Sequence, residues 1–254
     1  MFGAFSVIKM ESLIAHRGAS AYAPENTFAA FNQAVALGAR AIEFDVMLSA
    51  EGELVVFHDE TLNRTSNGQG AVIDASTSYI TSLDAGTWFA AQFQGETIPT
   101  LSDVLQWLLV HQIQANVELK PLPGMAEQLV EAFLKCLRQY WPVKAPLLWV
   151  SSFDVAVLRT CAKLSPELPL AVLFKQWDKN WIKLAEEVQA VAVHLSQYIV
   201  RPRRVAAIKK AGYGVCIYTV NTKKLAAFYF GLGADSVISD YPNLIDRKTD
   251  KKTD

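Results

Sequence analysis

The chain has 254 residues, of which 51% are hydrophobic and 19% are charged, and its formal net charge is -1. This composition is that of a globular chain with a sizeable core, and it excludes an intrinsically disordered protein. The near-zero net charge argues against a nucleic-acid partner bound through a broad basic field. Any recognition of anions therefore has to be local.

The sequence shows no pattern of targeting or membrane insertion. Residues 1–18 begin apolar but lack a basic segment and a small-residue cleavage pattern, so we expect no secretory signal. No run approaches the roughly 18 apolar residues that a membrane span requires. Cys136, Cys161 and Cys216 are far apart, which predicts reduced thiols and a cytoplasmic location. The polar residues 247–254 are predicted to form a disordered tail.

Short β-branched runs alternate with longer stretches that have helical spacing. The strand-like runs are 12–16, 40–47, 114–120, 147–152, 168–174, 190–195, 214–220 and 235–239. Helical spacing occurs between them, for example over 26–38, 125–140 and 202–212, with glycine or proline at the joints. Eight strands alternating with helices predict an α/β fold, a TIM (β/α)8 barrel that forms a single domain over residues 1–246.

One segment departs from this alternation. The stretch "GELVVFHDETLNRTSNGQG" (52–70) follows the second strand through a hairpin-like turn and adds an extra strand. The chain then stays rich in loops until Pro99, which predicts a small insertion subdomain over 60–99, above the mouth of the barrel. The insertion aromatics Trp88, Phe89 and Phe93 either roof the site or hold the insertion together.

Polar residues that a core would reject stand at several strand ends, where βα barrels carry their chemistry. They are His16 and Arg17 after the first strand, Glu43 and Asp45 on the second, His58 and Asp59 after the extra strand, and Glu118 and Lys120 on the third. Glu43 and Asp45 are two residues apart, so both project from one side of the strand. The same spacing relates Glu118 to Lys120.

These residue types suit a metal-assisted reaction on a phosphate. Converging carboxylates repel one another unless a cation lies among them, and oxygen ligands favour one hard divalent cation, Mg²⁺ or Ca²⁺, over zinc. Arg17 and Lys120 add the positive charge that a phosphate needs. Two histidines supply a base and an acid at neutral pH. The set indicates phosphodiester cleavage, in which one histidine deprotonates the nucleophile and the other protonates the leaving alkoxide.

The same residues have structural interpretations. A histidine beside a strand is more often a hydrogen-bonded loop residue than a catalyst, and this is our interpretation of His111. Glu43 has an alternative as the partner of Arg40 or Lys120 in a buried ion pair. The stretch "PENT" (24–27) predicts a helix start, capped by its asparagine or threonine, and no reacting group.

A series of short motifs resembles a known family. "AHRG", "APENT", "IEFDV", "FHD", "RTSNG", "VELKP", "SSF", "IYTVN" and "DSVISDYP" occur in this order over nearly the whole chain. Together they resemble the glycerophosphodiester phosphodiesterases, in particular the short cytosolic bacterial type. The resemblance implies a TIM barrel with an insertion, a divalent cation, and hydrolysis of glycerophosphodiesters to sn-glycerol 3-phosphate and an alcohol. It also implies that the glycerol 2-hydroxyl attacks phosphorus and that water then opens a cyclic phosphate.

Carried over by motif, the resemblance implies a role for each residue at the strand ends. His16 and His58 would be the acid/base pair, and Glu43, Asp45 and Glu118 would hold the metal. Arg17 would bind phosphate, with Lys120 within reach of it. Residues expected near the ends of later strands are Trp149, Phe174, His194, Tyr218 and Asn221, of which we take His194 and Tyr218 as substrate-binding candidates.

Three rival functions remain to be separated. A barrel enzyme that abstracts a proton beside a carboxylate would use the acids and the lysine, but it has no use for a His-Arg pair on the first strand. A non-catalytic binding module would not need intact His16 and His58. The closest alternative is a lysophospholipid- or phosphoinositide-directed phosphodiesterase on the same fold. The near-zero charge favours a soluble small-molecule diester, and the oligomeric state and the headgroup alcohol stay open.

Overall fold

The protein is described by a computed structural model over residues 9–244. Its strands are β1 Leu13–His16, β2 Ala41–Leu48, β3 Leu54–Val56, β4 Gln114–Leu119, β5 Leu148–Ser152, β6 Leu170–Phe174, β7 Ala192–Ser196, β8 Gly214–Tyr218 and β9 Ser236–Ser239. Its α-helices are α1 Phe28–Ala36, α2 Thr77–Ser82, α3 Leu101–His111, α4 Ala126–Tyr140, α5 Val155–Leu164, α6 Trp181–Glu187, α7 Pro202–Lys210 and α8 Lys223–Gly231. The tail predicted at 247–254 lies outside the described residues.

Eight of the strands form a closed parallel barrel. Neighbours pair in the order β1-β9-β8-β7-β6-β5-β4-β2, and a further parallel pairing of β1 with β2 closes the ring. The remaining strand, β3, is antiparallel to β2 and pairs Val46 with Val56. The prediction of a TIM barrel is confirmed, and each of the eight predicted strand runs overlaps one strand of the barrel. No helix within 9–244 is long and apolar enough to cross a bilayer.

Alternation along each strand divides the side chains between two apolar regions. Outward-facing residues such as Phe44, Val117 and Val193 pack in the large core between the strands and the helices. Inward-facing residues toward the amino ends of the strands, such as Ile14 and Trp149, fill the barrel itself. The inward positions at the carboxyl ends are polar, so the mouth of the barrel at that end is where a site can form.

The segment between β3 and α3 has its own small apolar cluster. Phe57, Leu62, Ile80 and Ile98 are buried there, apart from the main core. The insertion aromatics contact one another, since the rings of Trp88 and Phe89 and those of Phe89 and Phe93 each lie 5.6 Å apart, edge to face. These contacts favour the interpretation in which the aromatics hold this segment together.

The loop after β1 is pressed against the first helix at Gly18. This glycine has φ +83°, and a Cβ added to it would lie 2.7 Å from the carbonyl carbon of Ala30. The next residue, Ala19, donates its backbone N–H to the carbonyl oxygen of Ala30 at 2.9 Å. Only glycine fits this approach, which fixes the position of the neighbouring Arg17 relative to α1.

Replacing Gly18 by alanine is therefore expected to destabilise the fold. The substitution combines a positive φ with a clash against backbone atoms, and we expect a loss of about 2–4 kcal/mol in the free energy of unfolding. Gly212→Ala is the matched control, since Gly212 has φ +90° and nothing within 4 Å of its added Cβ. Urea denaturation of both variants measures the difference, and equal losses would contradict the packing role of Gly18.

Candidate active site

Three acidic side chains meet at the carboxyl end of the barrel. Glu43 and Asp45 project from β2, and the parallel register pairs Asp45 with Glu118 on β4. Ligand oxygens of the three residues all lie within 4.8 Å of one another. Glu43 and Asp45 are only 3% and 1% exposed, so their charges are shielded from water. The structure brings together the three residues predicted as metal ligands.

Burial and mutual repulsion act on the three carboxyl groups. Burial, followed by the charges of Asp45 and Glu118, raises the pKa of Glu43 well above its usual value. Burial and the charge of Asp45 raise the pKa of Glu118 to about 7. Burial also opposes ionisation of Asp45, but Arg17 and Lys120 outweigh it and lower the pKa of that residue. The cluster is therefore short of positive charge.

The two predicted phosphate-binding residues lie against these acids. The Arg17 Nε atom is 3.2 Å from Asp45 Oδ2, and the Arg17 backbone N–H donates to Glu43 Oε2 at 3.1 Å. The Lys120 Nζ atom is 3.7 Å from Asp45 Oδ1 and 3.6 Å from Glu118 Oε1. Two cations against three carboxylates leave one negative charge uncompensated when all the groups are ionised, which suits a bound metal ion. Glu43 is therefore held by the Arg17 backbone N–H. It does not form the ion pair with Arg40 or Lys120 that the sequence also allowed.

His16 reaches this cluster from the end of β1. Its Nε2 atom is 4.0 Å from Glu43 Oε2, while its Nδ1 atom is 2.6 Å from Asp240 Oδ1. Asp240 in turn accepts hydrogen bonds from the side chains of Ser20 at 3.0 Å and Asn221 at 2.5 Å. Burial opposes its ionisation, but these donors and His16 lower the pKa of Asp240 to about 2. Asp240 therefore fixes the orientation of His16.

His58 has a similar arrangement just after β3. Its Nδ1 atom is 2.5 Å from Asp59 Oδ1. Hydrogen bonds from Arg64 and from His58 lower the pKa of Asp59, with burial opposing them. Burial lowers the pKa of His58, which keeps the imidazole neutral around pH 7. Each of the two predicted acid/base residues is thus paired through Nδ1 with an aspartate.

The "PENT" stretch contributes more than the helix cap expected of it. Thr27 is the N-cap of α1 and accepts from the Ala30 N–H, which confirms the cap. Asn26, however, donates its side-chain amide to Asp45 Oδ2 at 3.0 Å. Glu25 accepts from Arg17 Nη1 at 2.7 Å, so it orients the phosphate-binding candidate. The sequence interpretation of this stretch was incomplete because it considered only the local helix start.

The backbone of this loop is held in an uncommon conformation. Arg17 has φ +53° and Asn26 has φ +59°, both in the left-handed region that residues other than glycine seldom occupy. The Asn26 N–H donates to the Arg17 carbonyl oxygen at 3.0 Å, which ties the two together. Strain of this kind persists where surrounding contacts enforce it, and here it aims both side chains at the carboxylates.

Two of the candidates on later strands lie inside the barrel. His194 and Trp149 are both 0% exposed, and burial lowers the pKa of His194 to about 3. This placement favours a structural role for His194 over direct contact with substrate. The reason is that His194 lies two residues before the end of β7, below the mouth. Tyr218, at the end of β8, is half-buried, and its pKa is raised by burial and by the nearby charge of Glu118.

A cleft opens beside His16. Its volume is about 310 Å³, and Arg17, Glu25, Asp240 and Tyr241 are among its lining residues. This is the lower end of the range typical of clefts that hold small molecules. The cleft gives a small ligand access to the histidine and the arginine from the solvent.

Comparison with known proteins assigns the chain to a family. The model of the glycerophosphoryl diester phosphodiesterase family matches residues 16–244. A glycerophosphodiester phosphodiesterase of Caldanaerobacter subterraneus subsp. tengcongensis is 36% identical over 237 residues, covering 92% of this chain and 95% of the relative. A glycerophosphodiester phosphodiesterase of Bacillus subtilis is 33% identical and covers 91% of this chain and 84% of the relative.

Solved structures agree with this assignment. A phosphodiesterase of Oleispira antarctica, in complex with the product sn-glycerol-3-phosphate, superposes with a TM-score of 0.89 at 36% identity, covering 92% of this chain and 94% of that one. A glycerophosphodiester phosphodiesterase of Agrobacterium tumefaciens superposes with a TM-score of 0.78 at 30% identity, covering 92% and 98%. Together with the geometry of the site, these matches show that the chain belongs to the glycerophosphoryl diester phosphodiesterase family.

Proposed function

We propose that this enzyme hydrolyses soluble glycerophosphodiesters to sn-glycerol 3-phosphate and an alcohol, with a divalent cation at Glu43, Asp45 and Glu118. The observation that carries the proposal is the buried carboxylate cluster flanked by two aspartate-bound histidines and an arginine. Its oxygen donors and unbalanced charge fit Mg²⁺ or Ca²⁺. The product bound to the Oleispira antarctica structure supports the substrate class.

Arg17 and Lys120 supply the fixed positive charge for the phosphate. Arg17 donates a hydrogen bond from Nη1 to Glu25, and its Nε lies 3.2 Å from Asp45 Oδ2 as an ion pair without a hydrogen bond, so carboxylates flank the guanidinium on two sides while Arg17 also lines the cleft. A planar guanidinium matches the oxygen spacing of a phosphate, while Lys120 acts as a point charge. A bound divalent cation supplies further stabilisation of the charge on the phosphoryl oxygens.

The two aspartates determine which ring nitrogen carries the proton when each histidine is neutral. Asp240 and Asp59 are ionised at neutral pH and can only accept hydrogen bonds, so each neutral histidine carries its proton on Nδ1. The lone pair of Nε2 then faces away from the aspartate. For His16 that atom is the one near Glu43, so the reactive nitrogen points to the carboxylate cluster.

The residues suit attack by the substrate's own 2-hydroxyl. One histidine, in its neutral form, takes the proton of that hydroxyl on Nε2 as its oxygen bonds to phosphorus, and the other, which enters the step protonated on both nitrogens, gives its Nε2 proton to the alkoxide as its bond to phosphorus breaks. The products of this step are a cyclic phosphate and the alcohol. In the second step the histidines exchange roles, so water is deprotonated and the 2-hydroxyl is restored, leaving sn-glycerol 3-phosphate. Preformed positive charge at Arg17 stabilises both transition states.

The first test is the release of sn-glycerol 3-phosphate after removal and return of metal. We expect no release after EDTA treatment, and recovery with Mg²⁺ or Ca²⁺ on glycerophosphocholine or glycerophosphoethanolamine. A coupled assay for glycerol 3-phosphate measures it. Lysophosphatidylcholine, followed by the choline it releases, and a phosphoinositide, followed by the inositol phosphate it releases, test the alternative substrates. Absence of release from every diester with every divalent metal would refute the proposal.

The second test concerns the histidines. His16→Ala and His58→Ala are each expected to lower kcat by about 10²-fold or more, the scale of acid/base catalysis. Metal affinity should stay close to that of the wild type, because neither histidine is assigned as a ligand. His111→Ala is the control, since His111 bonds the Trp107 carbonyl on α3. Wild-type turnover in either of the first two variants would remove that residue from the mechanism.

The third test compares the Tm of metal-free and metal-loaded protein as a function of pH, because the metal-free protein should lose stability as the pH rises. A carboxyl group whose pKa is raised in the folded state stabilises below its unfolded pKa and loses that contribution as pH rises through the folded value. For Glu118 the window runs from 4.5 to about 7. We therefore expect the Tm gained on adding metal to grow between pH 5 and pH 8, and Glu118→Gln to reduce that growth, with the rest coming from Glu43, whose pKa is also raised. A gain independent of pH would contradict the assignment of Glu118.

A further inference from the structure

Arg64, in the segment after β3, bonds two different carboxylates with one guanidinium. Its Nε and Nη2 atoms donate to the two oxygens of Asp59 at 2.6 and 2.9 Å. Its Nη1 and Nη2 atoms donate to the two oxygens of Glu25 at 2.9 and 2.8 Å. Glu25 belongs to the loop after β1, so Arg64 joins two loops that lie 39 residues apart in sequence.

Each of these carboxylates has a second partner in the site. Glu25 also accepts from Arg17 Nη1 at 2.7 Å, and Asp59 also bonds His58 Nδ1 at 2.5 Å. Arg64 is therefore one residue removed from the candidate that binds phosphate and from a candidate that moves a proton. The charges alternate along the chain of contacts from Arg17 to His58.

The geometry of the contacts matters more here than their strength. Arg64 is 44% exposed, and an ion pair at such a site adds little to stability. A planar guanidinium nevertheless fixes the direction of both carboxylates at once, which a lysine ammonium cannot do. Arg159 offers a comparison on the outer face, where it bonds both oxygens of Glu187 at 2.6 and 3.1 Å and has no link to the site.

We infer that Arg64 is a positioning residue that couples phosphate binding to acid/base catalysis, by holding Glu25 against Arg17 and Asp59 against His58. The inference rests on the proposed function, since it needs those two roles. It assigns a task to the segment after β3, which would then contribute to the site through Arg64. Loss of Arg64 should disturb binding and turnover together, although Arg64 contacts neither the metal ligands nor the reacting atoms.

The test compares Arg64→Met and Arg64→Lys with a single substitution of each carboxylate that Arg64 bonds, Glu25 and Asp59. Glu25→Gln should mainly raise KM, and Asp59→Asn should mainly lower kcat. Arg64→Met should do both, by about 10- to 100-fold, the cost of a misplaced catalytic group. Arg64→Lys should restore little, because one ammonium cannot align two carboxylates. In the double variant Arg64→Met/Asp59→Asn, kcat should fall little below that of Asp59→Asn alone.

A binding measurement keeps the inference independent of turnover. Calorimetric titration with sn-glycerol 3-phosphate should show weaker binding to Arg64→Met, in the same proportion as to Glu25→Gln. Arg159→Met is the matched control and should match the wild type in KM, kcat and product affinity, with a Tm change similar to that of Arg64→Met. Wild-type kcat and product affinity in Arg64→Met would overturn the inference. An active Arg64→Met enzyme with additive effects in the double variant would overturn the link through Asp59.

Discussion

Repulsion among three carboxylates, two of them buried, is the constraint around which this site is organised. Glu43 and Asp45 are shielded from water, and the partly buried Glu118 lies close to both. Such an arrangement is unfavourable alone, as the raised pKa values of Glu43 and Glu118 show. It persists because the barrel fixes the strands that carry these residues and because cations are held beside them. A divalent ion among the three carboxylates would relieve this repulsion, and that is the metal site we propose.

The end of β1 and the loop after it carry His16 and Arg17, and the segment after β3 carries His58 and Arg64. Gly18 allows the first loop to touch α1, and Arg17 then adopts a left-handed conformation that brings its backbone N–H to Glu43. On the other side, the chain after β3 brings His58 and Arg64 over the same edge. Alternating charges from Asp45 through Arg17, Glu25 and Arg64 to Asp59 link the two loops. The proposed metal ligands, the proposed phosphate-binding arginine and one proposed acid/base histidine therefore belong to a common network.

Sequence alone predicted the barrel and the acidic cluster because both depend on short-range patterns. Strands appear as β-branched runs, and the spacing of Glu43 and Asp45 places them on one side of a strand. Contacts between segments that are far apart in the sequence leave no such pattern in it. Asp240 meets His16 across 224 residues, and the rule that polar residues at strand ends form the site would have identified it after β9.

His194 shows that a sequence pattern can place a residue on the right strand without giving its depth in the barrel. It lies on a strand of the barrel and has the chemistry of a site residue, but the end of β7 is two residues further on, so its ring is enclosed. A one-dimensional pattern does not state how far below the mouth a side chain lies. Glu25 and Arg64 were missed for a different reason, since only the fold shows that they share hydrogen bonds.

The most direct test of this account is to locate a divalent ion experimentally. A crystal grown with Mn²⁺, which scatters anomalously and takes the oxygen ligands of Mg²⁺, would show where the ion binds. We expect one anomalous peak among Glu43, Asp45 and Glu118, at about 2.0–2.6 Å from oxygens of all three. A peak elsewhere, or density showing a Lys120 or Arg17 side chain between the three carboxylates in place of the ion, would contradict it.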